Sequence, residues 1–198
     1  MTPYFPYNVR KGITPMLRGK KVTLRSFERA DLQRLHALCQ QVDLMLLSDS
    51  VWLPSSLAAW EKDFDAHLAD QDNYQFIIEA DGKIIGSLQL HPRPNLRAGA
   101  GELGIGIYDP DYLSKGYGRD AIATFLNWAF RIMNLRRIKL ETLASNERAI
   151  RCYEACGFVR EGLLREDDYC DGAYRDTVIM GLLRSEWEAR GAGNHNIA

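Results

Sequence analysis

No apolar run in the 198-residue sequence approaches the roughly 20 residues that a helix needs to span a bilayer, so no membrane-crossing helix is expected. The opening Met1-Thr2-Pro3-Tyr4-Phe5-Pro6-Tyr7 has neither a charged lead nor an apolar core and does not read as a secretion signal. Charge of one sign is missing too. Lys and Arg number 25 against 26 Asp and Glu, a net charge of −1, which provides no general basic surface for nucleic acid. Cysteine is scarce, with Cys39, Cys152, Cys156 and Cys170 and no C-x-x-C spacing. Cys152 and Cys156 stand one helical turn apart, but no nearby His completes a metal site. All four read as buried thiols of a cytoplasmic, reduced protein, and no metal is expected. Three motifs are absent as well. Without G-x-G-x-x-G, a Gly-Lys-Ser/Thr phosphate loop or G-x-S-x-G, there is no sign of a dinucleotide fold, a nucleotide triphosphatase or a serine hydrolase.

What remains is the composition of an ordinary globular domain, 46% hydrophobic and 26% charged, long enough for one substantial core and short for two. Residues 1–19, rich in proline and aromatics and without periodicity, read as an N-terminal extension; residues 20–188 read as the domain and 189–198 as a tail. Alternation predicts a strand at 21–27, and leucines at 32, 35 and 38 place a helix over 30–40. A second helix is expected over 55–69, then a hairpin of 74–79 and 83–91 turned at Asp81-Gly82. A strand over 101–108 precedes a helix over 119–133 that should bury Ile122, Phe125, Ala129 and Ile132. Strand 137–144, helix 146–156 and a closing hairpin of 158–170 and 173–183 complete the order. The sum is an α/β (α+β) layer with a mixed, mainly antiparallel sheet of about seven strands and about four helices.

The most informative stretch is Ser114-Lys115-Gly116-Tyr117-Gly118-Arg119-Asp120-Ala121, entered from Glu102-Leu103-Gly104-Ile105-Gly106-Ile107. The apolar strand stops at Asp109-Pro110, and a helix starts near Gly118. A glycine loop there presents unpaired N–H groups at the positive end of a helix, which suits a pyrophosphate. By itself this is also an ordinary strand–turn–helix connection. Downstream, Asn146-Glu147-Arg148-Ala149-Ile150-Arg151-Cys152-Tyr153-Glu154-Ala155-Cys156-Gly157-Phe158 reads as a helix capped by Asn146 and ended by Gly157.

The two segments together resemble the GNAT N-acetyltransferases, which move acetyl from acetyl-CoA to an amine. Lys115-Gly116-Tyr117-Gly118 is similar to their pyrophosphate loop, and Asn146…Ala149…Tyr153…Gly157-Phe158 to their second cofactor motif. The branch most resembled is that of the spermidine acetyltransferases and ribosomal-protein N-terminal alanine acetyltransferases. Those share the hairpin signal running from Arg165 to Asp176. One departure is Leu113, where the family often has Gln or Arg. The resemblance implies a pantetheine arm lying along Ile105, Gly106 and Ile107, in a gap between two splayed strands. It implies phosphates held by Leu113, Ser114, Lys115, Gly116, Tyr117, Gly118 and Arg119, with Asn146 and Ala149 also touching the cofactor. Tyr153 is implied as general acid and Glu102 as base, with Glu141 in reserve. A free phenol titrates at about 10 and therefore carries its proton at neutral pH. From spacing alone, Tyr153 reads as a core aromatic, and Glu102 is equally a strand-end carboxylate.

The acceptor is expected to be cationic. Between Asp43 and Tyr74 stand Asp43, Asp49, Glu61, Asp63, Asp65, Asp70 and Asp72 against the single Lys62, with Trp52 and Trp60 nearby. A solvated helix face would show the same run. Polyamine, protein N-terminus and aminoglycoside remain open as acceptors, as does a catalytically silent acyl-CoA-binding module on the same fold. No nucleic-acid or membrane partner is expected, and a homodimer is left open.

Overall fold

The computed structural model describes residues 16–41, 54–68, 74–92 and 98–191. Eight strands form one sheet: β1 (Met16–Arg18), β2 (Thr23–Ser26), β3 (Tyr74–Ala80), β4 (Lys83–Pro92), β5 (Ala100–Ile107), β6 (Arg137–Leu143), β7 (Val159–Cys170) and β8 (Ala173–Leu183). The helices are α1 (Leu32–Cys39), α2 (Leu57–Leu68), α3 (Tyr117–Arg131), α4 (Glu147–Cys156) and α5 (Arg184–Ala189). The strand order is β1-β2-β3-β4-β5-β6-β8-β7, antiparallel throughout except for β5 against β6. This is the expected mixed α/β layer, with one strand more than the seven read from the sequence.

The added strand lies ahead of residue 20. Met16–Arg18, read as part of an extension outside the core, pairs antiparallel with Thr23, Leu24 and Arg25. Its turn is fixed from a distance: the Asp120 carboxylate, in the first turn of α3, accepts N–H bonds from Lys20 (3.1 Å), Lys21 (2.6 Å) and Val22 (3.0 Å). At the other end α5 closes at Ala189, one residue beyond the expected limit.

Paired residues in a sheet point to the same side, and successive ones alternate. One face therefore carries Leu24, Ile78, Leu88, Leu90, Leu103, Ile138, Leu140 and Met180, all buried. Against it pack Ile122, Phe125, Leu126, Ala129 and Phe130 of α3 and Ile150 and Tyr153 of α4. Phe125 and Phe130 are fully enclosed, each contributing on the order of 2–3 kcal/mol of burial. Ile132 is a correction: α3 ends at Arg131, and Ile132, expected inside, is 56% exposed because it caps the helix and is no longer on the buried stripe. The opposite face, over β2–β4, is covered by α1 and α2 through Leu32, Leu35, Leu38 and Phe64.

Candidate active site

After β5 the chain makes a tight, well-anchored connection. Asp109 caps a single 3-10 turn (Pro110–Tyr112), its carboxylate accepting from the Asp111 N–H at 3.1 Å and meeting Arg34 at 3.1 Å. Ser114 (φ 57°) and Gly116 (φ 86°) then take left-handed conformations, and Gly116 is the N-cap of α3. No side chain caps this helix. The first intrahelical bond runs from Asp120 N–H to Gly116 O (3.1 Å), so the N–H groups of Tyr117, Gly118 and Arg119 precede the hydrogen-bonded ladder. A side chain placed at Gly116 would meet only Lys21 Nζ, at 3.8 Å. The loop thus offers uncapped N–H donors and open space at the positive end of a helix, beside cations, which is chemistry that accepts a pyrophosphate.

The cations are arranged differently from the sequence expectation. Lys115 Nζ turns back to donate to the Asp111 carbonyl (2.6 Å), while Arg119 stays exposed. Lys21, which the sequence reading did not single out, donates to the Lys115 carbonyl (2.9 Å) and lies 5.3 Å from the centre of the Tyr117 ring. It reaches the loop through the Asp120 anchor, a contact about 100 residues apart in sequence, and no local pattern announces it. Leu113, half-buried and extended, closes the 3-10 turn, its N–H donating to the Pro110 carbonyl at 3.2 Å.

Beside the loop the sheet opens. β5 and β6 pair only over Ala100–Arg137, Gly101–Ile138 and Glu102–Lys139, and beyond Glu102 they part. Leu103 to Ile107 keep β4 on one side and have no strand partner on the other among the described residues. This free edge, carrying Ile105, Gly106 and Ile107, leads straight to the glycine loop. Ile107 Cγ1 lies 3.7 Å from where a Cβ on Gly118 would sit. Gly106 has no room for a side chain, because the Tyr108 ring packs directly over it.

The parting strands separate two sets of ionisable groups. Tyr153 is buried on the α3–α4 side, its ring edge-on to Phe158 at 6.2 Å. Its helix is fixed by Asn146, whose side-chain oxygen accepts the Ala149 N–H at 3.1 Å. Asn146 therefore spends this oxygen, and Ala149 its N–H, on the cap. Glu102, Lys139 and Glu141 point to the other face. Lys139 Nζ sits 2.9 Å from Glu102 and 2.6 Å from Glu141, joining both carboxylates at the point where the strands part. Burial alone would lower the Lys139 pKa, but hydrogen bonds to Glu141 and Glu102 outweigh it and raise the value, so the cluster holds its ammonium charged. The two glutamates, separate candidates in the sequence, are one cluster in the fold.

On the face of the glutamates lies a cavity of about 230 Å³ between α1, α2 and the sheet. Its walls include Phe27, Leu32, Trp60 and Phe64, with Gln75, Ser87, Gln89, Tyr108, His67 and Asp63 supplying polar atoms. Ser87 and Gln89 face Gly106 and Gly104 across β4–β5, so the cavity runs up to the free edge of β5. Tyr108 is a second residue that sequence reading missed; the signal was the alternation Gly106-x-Tyr108, a bare position beside an aromatic. Of the acidic run, Glu61, Asp63 and Asp65 are on α2, where Asp65 pairs with Arg29 and Asp63 lines the cavity. Asp43, Asp49, Trp52, Asp70 and Asp72 lie outside the described residues.

Residues 21–159 match the model of the acetyltransferase (GNAT) domain. The chain belongs to the GNAT acetyltransferase family. As a GNAT enzyme it is an N-acetyltransferase that takes acetyl from acetyl-CoA and delivers it to a primary amine. A spermidine N(1)-acetyltransferase of Vibrio cholerae is 32% identical over 173 residues, 85% of this chain and 96% of that protein. A putative ribosomal N-acetyltransferase of Bacillus subtilis is 28% identical, over 86% of this chain and 95% of its own. A crystal structure of spermidine N-acetyltransferase from Vibrio cholerae in complex with CoA and spermine superposes with a TM-score of 0.78 at 31% identity, covering 85% of this chain and 98% of that one. The GNAT donor suits the site: the uncapped helix start and open Gly116 fit its pyrophosphate, and the free β5 edge fits an extended arm carrying amide groups.

Proposed function

We propose that this acetyltransferase acts on a cationic amine of the polyamine class, which enters through the cavity under α1 and α2. The observation that carries this reading is the wall of that cavity: Asp63 set among Trp60, Phe64 and Phe27, with neutral Gln75, Gln89 and Ser87 and no Lys or Arg among its lining residues. A carboxylate beside aromatic and methylene surface suits a flexible chain of CH2 groups bearing ammonium charges. The names of the two spermidine acetyltransferase relatives support the same class.

The donor's phosphates are assigned to the N–H groups of Tyr117, Gly118 and Arg119, with Lys21, Lys115 and Arg119 supplying positive charge, and its extended arm to the edge Ile105–Ile107. An attacking amine must be neutral, and the Glu102–Lys139–Glu141 cluster, on the acceptor face, is the group that takes its proton, directly or through water. Backbone N–H groups of the free β5 edge are aimed where negative charge develops on the acyl oxygen. Tyr153, on the opposite face, returns a proton to the departing thiolate. Attack is direct, within a complex of both substrates, because amine and donor reach the same strand gap from opposite sides. We place the enzyme in the cytoplasm, a reading supported by its four free thiols. Exposed Val159, Leu163, Tyr169 and Tyr174 on the outer hairpin support association of two copies.

The test is release of free CoA thiol from acetyl-CoA across a panel of spermidine, spermine, an aminoglycoside, a basic N-terminal peptide and neutral amines. Turnover led by the polyamines is expected. A neutral amine preferred over every cationic one overturns the proposal.

A further inference from the structure

Two thiols outside the catalytic groups sit where the two cofactor motifs touch. Cys152 and Cys156 are one turn apart on the α4 face turned to α3, and both are half-buried. Cys156 also donates its thiol hydrogen to the Arg119 carbonyl at 3.9 Å, which ties the last turn of α4 to the first turn of α3. When Cys152 ionises, the Cys156 S–H can turn from the Arg119 carbonyl to the thiolate; this hydrogen bond outweighs burial and, with the charges of Arg119 and Arg148, brings the Cys152 thiol down to about 7, while Cys156 is pushed up by its neighbour. The other two cysteines, Cys39 and Cys170, are buried, and burial pushes the Cys39 thiol up to about 12.

We propose that Cys152 and Cys156 form a reversible dithiol–disulfide pair that responds to hydroperoxides and loosens the pyrophosphate loop when oxidised. The regulatory half of this statement rests on the assignment of acetyl-CoA to that loop. The Cys152 thiolate attacks the peroxide, forming an S–O bond and breaking the O–O bond; sulfur gives up two electrons, and the leaving oxygen departs as hydroxide or alkoxide and takes a proton from solvent to become water or an alcohol. The Cys156 sulfur then attacks the sulfenic sulfur, forming the S–S bond and expelling water that carries away the thiol proton. Residues four apart on a helix have Cβ atoms about 5–6 Å apart, whereas a disulfide needs roughly 3.5–4.5 Å. Closing the bond therefore requires the last turn of α4 to shift. That turn is the end of the helix, where Cys156 is the last helical residue and Gly157 follows it in a left-handed conformation (φ 106°), and the shift has to loosen the bonds from Gly157 N–H to the Glu154 carbonyl (3.0 Å) and from Phe158 N–H to the Tyr153 carbonyl (3.1 Å). The shift pulls Cys156 off the Arg119 carbonyl, removing one of the contacts that steady the first turn of α3 just where its N–H groups face the phosphates.

The experiment oxidises the full-length protein with stoichiometric hydrogen peroxide, alkylates the remaining thiols and maps them by peptide mass spectrometry. CoA affinity is measured calorimetrically before oxidation, after it, and after re-reduction with dithiothreitol. The expected result is a disulfide in the peptide holding Cys152 and Cys156 while Cys39 and Cys170 stay alkylatable. CoA affinity should fall roughly fivefold to tenfold, the value of about one lost hydrogen bond, and recover on reduction. Cys152→Ser should abolish the disulfide and the affinity change, with Cys156→Ala as a second variant reaching the same end. Oxidation of Cys39 or Cys170 at the same rate, a product that reduction does not reverse, or a disulfide that leaves CoA affinity unchanged each overturns the proposal. If reduced protein fails to bind CoA, the loop assignment fails by itself, and the thiol map still decides the chemistry of the pair.

Discussion

Replacing Gly116 by valine separates a phosphate cradle from a plain connecting loop. Gly116 has φ 86°, and a Cβ there would meet nothing nearer than Lys21 Nζ at 3.8 Å. The folded protein thus has room for the side chain, and the cost is backbone strain, on the order of 1–2 kcal/mol for a non-glycine residue in the left-handed region and more for a β-branched one. For a domain of this size that lowers Tm by about 2–4 °C for each kcal/mol, so the variant should remain folded at 25 °C. The effect on acetyl-CoA should be larger. The valine methyl groups occupy the approach to the N–H groups of Tyr117 and Gly118, and each hydrogen bond to a charged group contributes roughly 1.5–3 kcal/mol. Losing one raises Kd roughly tenfold to a hundredfold. Gly116→Asn is the control, because asparagine tolerates the left-handed region; it should melt closer to wild type yet still bind more weakly. Calorimetry with acetyl-CoA, alongside a circular-dichroism melt, reads both quantities. A folded valine variant with unchanged affinity refutes the reasoning.

Tyr153→Phe keeps the buried ring and removes the hydroxyl, so kcat should fall on the order of 100-fold while KM for acetyl-CoA barely moves; equal turnover would make Tyr153 a packing residue. Lys21→Met should weaken CoA binding several-fold, with a shallower salt dependence than wild type, since it removes a cation beside the loop; identical binding at low salt would contradict that. Glu161 accepts Arg137 (2.7 Å), and this hydrogen bond holds its carboxyl below the usual range despite opposing burial. Because the folded value is depressed, its contribution is present above the ordinary glutamate pKa of about 4.3 and is lost as pH falls through the folded value. Glu161→Gln should therefore lower Tm at neutral pH and change it little in strong acid, and an equal loss at both would count against the ion pair.

The blocks around β5–α3 and β6–α4 were legible because their signals are local. Asp109-Pro110 stops a strand, Gly116 opens a helix in a conformation other residues resist, Asn146 caps and Gly157 terminates. What stayed hidden is what distance in sequence assembles. Three residues of β1 carry no period; the β2 register, the packing of Leu17 on the core and the Asp120 carboxylate at the turn that follows define them. Lys21 reaches the loop by the same contact, and Lys139 binds Glu102 and Glu141 only because β5 and β6 happen to pair as far as residue 102 and no farther. Ile132 misled because helical spacing continues in the sequence beyond the point where the backbone stops following it.

The most direct test of the central claim is kcat/KM for spermidine at rising ionic strength, with wild type beside Asp63→Asn. A cavity that captures a cationic amine through the Asp63 carboxylate predicts a kcat/KM that falls steadily as salt screens the attraction, from a lower starting value and with a shallower slope in the variant. A spermidine kcat/KM that ignores salt and is unchanged by Asp63→Asn would contradict the account.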